Sequence, residues 1–235
     1  MMKSITLALL LAFLSPVSAQ VEVVSKRATS FSEPSDVLKK VGSPNFWVLG
    51  DKSTLFECSP SGDVVTSFLL PALDVEAVTC SDRYCYLSEE TLQRILVMDA
   101  TTMKELYSVP LHHGGGRNQG VEAMTWLSAE RVLLVSTEKD PQFFMELDEQ
   151  LQVQKTYRIE GIHEVSALTF SEGRVYVLSD EDATIFRLTA DHRSVEQSWN
   201  IPIINPEGLC AKGDGSWIVV SDDGAMWYEL KGLKP

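Results

Sequence analysis

"GVEAMTWLSAERVLLVSTEKDPQFFMELDEQLQVQKTYRI", residues 120–159, holds four short apolar runs divided by polar turns. Each run is strand length, and helical periodicity is absent, so the stretch predicts four antiparallel strands. The same plan recurs along the chain. "EPSDVL", "DVEAVT", "GVEAMT", "EVSALT" and "NPEGLC" align on one column, Ser35, Glu76, Glu122, Ser166 and Glu207, at intervals of 41, 46, 44 and 41 residues. After each comes an apolar strand running into an acidic turn: "FWVLGDKST", "CYLSEET", "LLVSTEKDP", "YVLSDEDAT" and "WIVVSDDGA". A third strand follows in every unit, and a fourth closes most of them, as in "DVVTSFLL" and "VEQSWNI".

A repeat of about four strands per 40–46 residues is the signature of a β-propeller blade. The reading is therefore all-β: a single β-propeller of five four-stranded blades, with a six-bladed or irregular propeller as the alternative. A β-sandwich would leave the matching intervals unexplained. The fifth unit stops after "MWYEL", one strand short, while "VEVVSKRATSF" near the N-terminus is β-prone and has no blade of its own. That segment is expected to close the ring as the missing outer strand, which also covers a sheet edge.

The first residues have another character. Lys3, the apolar "ITLALLLAFL" and the small residues of "SPVSA" give the layout of a secretory signal peptide over residues 1–19, too short to span a bilayer. The propeller domain is then 20–235, exported to the periplasm or secreted, with no integral membrane segment after cleavage. The formal charge of −13 repels phosphate backbones and argues against nucleic acid as a partner. Cys80 and Cys85 flank the turn "SDRY" and are expected to bridge across a hairpin, while the pairing of Cys58 and Cys210 stays open.

Propeller geometry puts the entry to each inner strand and the turn between strands two and three on one face. Glu76, Glu122 and Glu207 then begin inner strands at the channel mouth. Around them the turns supply Asp51, Glu89, Glu90, Glu138, Asp180, Asp182, Asp222 and Asp223. Crowded carboxyls disfavour ionisation unless a cation joins them, and Ca²⁺ or another divalent cation suits oxygen ligands. The expected metal set is Glu76, Glu122 and Glu207 with Asp222 and Asn205; Arg117 or Lys139 would be an alternative neutraliser. The bland alternative is that the turn acids are simply solvated, as turn residues commonly are.

"HHGGGRNQG", residues 112–120, tempts toward other chemistries. Its HGGG suits a lipase oxyanion loop, but no G-x-S-x-G elbow exists in the chain. Adjacent His112 and His113 make a poor metal pair, and the glycines lead into a strand rather than the helix a phosphate cradle needs, so no organic cofactor is expected. The loop reads as an insertion over the mouth. It brings His113 and Arg117, with Glu138 and Asp180, to a ligand or partner face. His163 and His192 read as surface or interface residues. Trp47, Trp126, Trp217 and Trp227 read as filling blade interfaces.

"NQGVEAMTWLSAERVLLVSTEKDPQFFMELDEQLQV" resembles the SdiA-regulated (YjiK-like) family of exported bacterial β-propeller proteins, and "NPEGLCAKGDGSWIVVSDDGAMWYEL" repeats the pattern. The likeness extends loosely over residues 31–230. It implies a periplasmic or surface propeller with calcium binding possible and no established reaction, and sets Glu122, Glu207, Glu138 and Asp222 on its motif positions. The chain departs from that pattern with Ala after Glu76 and Glu122, and Ser at 35 and 166. The function expected is binding, by a monomer, of a cation and of a protein or small-molecule partner. The alternative is a metal-dependent hydrolase of lactonase or phytase/esterase type.

Overall fold

The computed structural model describes residues 21–50, 52–111, 120–128, 130–139 and 141–233. The signal segment, Asp51, His113 and Arg117 lie outside the described residues. Twenty strands form five antiparallel four-stranded sheets, and no helix occurs among the described residues. None is therefore long and apolar enough to cross a membrane.

β1 (Glu22–Ala28) stands apart in sequence. Blade one is β2 (Pro34–Lys39), β3 (Phe46–Gly50), β4 (Thr54–Cys58) and β5 (Val64–Leu69). Blade two is β6 (Val75–Cys80), β7 (Tyr84–Glu89), β8 (Arg94–Asp99) and β9 (Glu105–Pro110). Blade three is β10 (Val121–Leu127), β11 (Val132–Thr137), β12 (Phe144–Leu147) and β13 (Val153–Tyr157). Blade four is β14 (Ala167–Ser171), β15 (Arg174–Ser179), β16 (Thr184–Leu188) and β17 (Val195–Asn200). Blade five is β18 (Pro206–Ala211), β19 (Trp217–Ser221) and β20 (Met226–Lys231), completed by β1 on its outer edge. β1 runs antiparallel to β20, from Glu22 opposite Lys231 to Ala28 opposite Met226. The N-terminal closure expected from the sequence is the observed one.

Burial explains the strand patterns. Second strands such as β19 (WIVVS) are buried along their whole length because blades cover both faces, hence their continuous apolar runs. Outer strands such as β17 alternate between exposed and covered residues. Five apolar clusters fill the five junctions between neighbouring blades. The tryptophans serve these junctions: Trp126 stacks on Tyr86 at 5.5 Å, Trp217 meets Tyr176 at 4.4 Å, and Trp227 meets Phe46 edge-on at 5.5 Å.

The inner strands β2, β6, β10, β14 and β18 pack against one another around the axis. Side chains of the repeat tie them together. The Asp36 carboxylate accepts from Val37 N and, across the junction, from Val78 N at 2.9 Å. The threonine three places after the column residue does the same work elsewhere. Thr79 Oγ1 accepts from Trp126 N, Thr125 Oγ1 accepts from Phe170 N, and Thr169 Oγ1 donates to Leu209 O. Gly208 closes the ring by close approach, since a Cβ there would lie 2.7 Å from Val37 N and 2.9 Å from Asp36 C.

Candidate functional site: the acidic mouth

Inner strands begin with a shared irregularity. Pairing steps from Pro34 to Asp36, Val75 to Ala77, Val121 to Ala123 and Pro206 to Gly208 while the partner strand advances one residue. The residue skipped is the column residue: Ser35, Glu76, Glu122 or Glu207. A β-bulge leaves its extra residue unpaired and re-aims the side chain. All four side chains, with Ser166 from blade four, line one cavity of about 350 Å³ at the mouth.

The column accounts for three glutamates, yet the entries to the inner strands bring five to the cavity. Glu33 and Glu164 join Glu76, Glu122 and Glu207. Where the column holds serine, a glutamate stands two residues earlier, in "EPS" and "EVS", so the entry to each blade's inner strand delivers one carboxyl group. The sequence reading missed this pair. The signal was present in the aligned repeat, but offset from the column by one strand period. Glu164 is buried, and its carboxylate accepts from Ser166 Oγ, Ser179 Oγ, and the backbone N–H groups of Asp180 and Glu181.

The electrostatics show how tightly the groups converge. Burial first, then the charges of Glu76, Glu90 and Glu138, pushes Glu122 up to about 9. Burial, then Asp74 and Glu90, raises Glu76 to about 7, against the help of a hydrogen bond from Ser35. Burial, then Asp180, Glu164, Asp222 and Glu76, raises Glu207 to about 7. Glu76 thus acts on both of the other column glutamates. Glu90 is raised by burial and shares a carboxyl–carboxyl hydrogen bond with Glu122. Asp74, Glu76 and Glu90 bring one ligand oxygen each within 4.8 Å of one another, a spacing that can hold a metal ion. Neither Asp74 nor Glu90 was in the expected metal set.

Other expected residues take varied places. Glu138, Asp180 and Asp222 line the cavity. Asn205 contributes main chain: its N–H supports the Asp180 carboxylate and its carbonyl accepts from Asp222 N at 3.1 Å. Lys139 lies at the rim and is spanned by Glu138 and Glu181, each at 2.9 Å. The ion pairs of Lys139 are thus with Glu138 and Glu181 and not with Glu76, Glu122 or Glu207. Glu89 departs from expectation. It ends β7 buried, accepting from Leu73 N and pairing with Arg94, so it is a structural group and not a mouth group. Asp182 binds His163 Nδ1 at 2.8 Å on the surface, and Asp223 is exposed away from the cavity lining. His192 is buried, with Nε2 3.3 Å from Glu130.

The ends of the 112–120 insertion are on this face. Leu111 N donates to Gln93 O, and Gly120 N donates to Glu90 Oε1 at 3.2 Å, both in the turn after β7. At the other end of blade two, Cys80 and Cys85 form the expected disulfide, with Cα atoms 4.0 Å apart. Cys58 and Cys210 are free and buried.

Comparison with known proteins agrees with this architecture. The SdiA-regulated family model matches residues 40–231, and the chain belongs to that family. No curated protein matches it. Among solved structures it is similar to Myxococcus xanthus glutaminyl cyclase, with a TM-score of 0.74 at 11% identity over 92% of this chain and 98% of that one. It is also similar to the Swd1 β-propeller domain of Myceliophteria thermophila, with a TM-score of 0.52 at 10% identity over 86% of this chain and 66% of that one. Kuenenia stuttgartiensis hydrazine synthase gives 0.51 at 9% identity over 83% and 57%. At such identities the likeness concerns the fold alone.

Proposed function

We propose that this member of the SdiA-regulated family is an exported binding propeller whose acidic mouth takes a divalent cation. One observation carries the reading: bulges in separate blades send Glu76, Glu122 and Glu207 into one cavity, where burial and mutual repulsion hold them partly protonated. A cation that displaces those protons relieves the repulsion. The donors are hard carboxylate oxygens, and no His or Cys joins the described lining, so Ca²⁺ fits better than Zn²⁺. Glu76 is the shared ligand, with Asp74 and Glu90 on one side and Glu122 on the other. Asp180 and Asp222 complete the rim toward Glu207. Protein purified without chelator should carry close to one equivalent of calcium by elemental analysis, and a metal-free preparation that ignores added Ca²⁺ would refute the site.

A metal-dependent hydrolase is the second reading, favoured by the Glu122 carboxyl, which keeps a proton near neutral pH beside anionic neighbours as a general acid does. Turnover of lactones or phosphate esters by the calcium-loaded protein supports it, and glutaminyl cyclisation belongs in the same assay because a glutaminyl cyclase shares this fold. Export rests on the leader over residues 1–19. N-terminal sequencing of the cell-envelope protein should begin near Gln20, and recovery of Met1 or Met2 would remove that part of the proposal.

A further inference from the structure

A second cavity, of about 780 Å³, lies between blades two and three at the opposite ends of the inner strands from the acidic mouth. Trp126 lies near the end of β10 and Phe170 near the end of β14, while the mouth is formed where these strands begin. Its size is that of a small-molecule site.

The floor is aromatic. Trp126 is half-buried and stacked on Tyr86, and Tyr84, Tyr107 and Phe170 extend the surface, Tyr107 being 47% exposed. Large rings are normally buried when they serve packing alone, and the other four tryptophans are each 5% exposed or less. The rim is polar and planar: Asp82, Arg83, Arg131, Glu149 and Gln150. Two cations and two anions balance there, in a chain with a net charge of −13. Arg131 is committed to Glu149, and Arg83 lies over the Tyr84 ring at 5.5 Å. The local charge therefore selects neither phosphate nor metal.

The groove is also held in shape. Cys80 and Cys85 face each other across the β6–β7 hairpin and are bridged. Within the turn, Ser81 Oγ accepts from Tyr84 N at 3.0 Å and Ser81 N donates to Tyr84 O at 2.8 Å. Arg83 and Tyr84 are thus presented by a braced turn, which lowers the ordering cost of binding.

We propose that this groove binds a saccharide. A sugar ring offers an apolar C–H face to stack on Trp126 and Tyr107, and edge hydroxyls to pair with carboxylate, amide and guanidinium groups. Electroneutrality with many planar hydrogen-bonding groups is the complement of an uncharged polyol. A flat aromatic ligand would stack on the rings but make no use of the hydrogen-bonding groups of the rim.

Tryptophan fluorescence tests the assignment, because Trp126 is the one half-buried tryptophan and reports on this groove. The probes are chitotriose, cellotriose and maltotriose. At least one should change the emission saturably, with half-saturation at about 1 mM or below. Arg83→Ala and Tyr107→Ala, both exposed positions, should each weaken that response about tenfold while leaving the melting temperature of the free protein unchanged within error. Three silent sugars, a response that both variants retain in full, or stronger binding of indole-3-acetate than of any sugar would overturn the proposal.

Discussion

Glu122 is the second residue of β10, the one skipped by its bulge, and it lines the acidic mouth. A glutamate one residue into a strand has no turn role, and its recurrence at Glu76 and Glu207 points to a shared purpose from the sequence alone. The bulge supplies the mechanism, because the extra residue is the one free to point at the axis. Glu33 and Glu164 escaped notice because the alignment follows strands, whereas these two reach the same cavity from the preceding loop. Glu89 misled for the opposite reason: it opens the acidic turn of "CYLSEET", but as the last residue of β7 it is buried in the core. The small residue after the column has its own cause. Ala77 and Ala123 are buried, and at Gly208 even a methyl group would strike the backbone of β2. Gly208→Ala should therefore cost about 1–3 kcal/mol through overpacking at the ring junction, read by chemical denaturation. A cost indistinguishable from zero would mean that the β18–β2 approach is looser than described.

Among elements, β1 carries the greatest consequence for its length. It covers the open edge of β20, and Val21 and Val23 join the cluster between blades four and five. Arg27 reaches blade one, donating to Ser61 O at 2.9 Å and pairing with Asp63, so the strand latches across the ring junction. Deleting residues 21–31 removes a buried valine, the buried Phe31 and a whole ladder. Unfolding free energy should fall by at least about 3 kcal/mol, and aggregation through β20 should follow. An unchanged denaturation midpoint would rule out this closure. The strand and blade plan was legible because second strands are buried on both faces and outer strands on one, which writes different hydrophobic patterns. The hydrogen bonds that Thr79, Thr125 and Thr169 make to neighbouring blades were not, because threonine is equally at home in any strand.

For the whole molecule, acidity is distributed unevenly in consequence though not in sequence. At the mouth Glu76, Glu122, Glu164 and Glu207 are raised by burial, while Asp63, Asp99 and Asp191 on the surface are lowered by hydrogen bonds in their turns. Groups raised above their unfolded values bind protons more strongly in the folded state. Their contribution is fully present below about pH 4.5 and is lost as pH rises through 7 for Glu76 and Glu207 and toward 9 for Glu122. Buried Asp36, raised to about 8, adds to the same trend. In chelator, the melting temperature should fall between pH 5 and pH 9, and Glu122→Gln should flatten the upper part of that fall. A curve rising across this range would contradict the placement of these groups.

Calorimetric titration with Ca²⁺ at pH 8, in two buffers of different ionisation enthalpy, tests the cation directly, because it counts ions bound and protons released together. We predict one ion per chain, net proton release, and binding weakened at least tenfold, or about 1.4 kcal/mol, by Glu76→Gln and by Glu122→Gln. Absence of binding heat in both buffers, or an unchanged affinity in both variants, would contradict the assignment of the acidic mouth as a cation site.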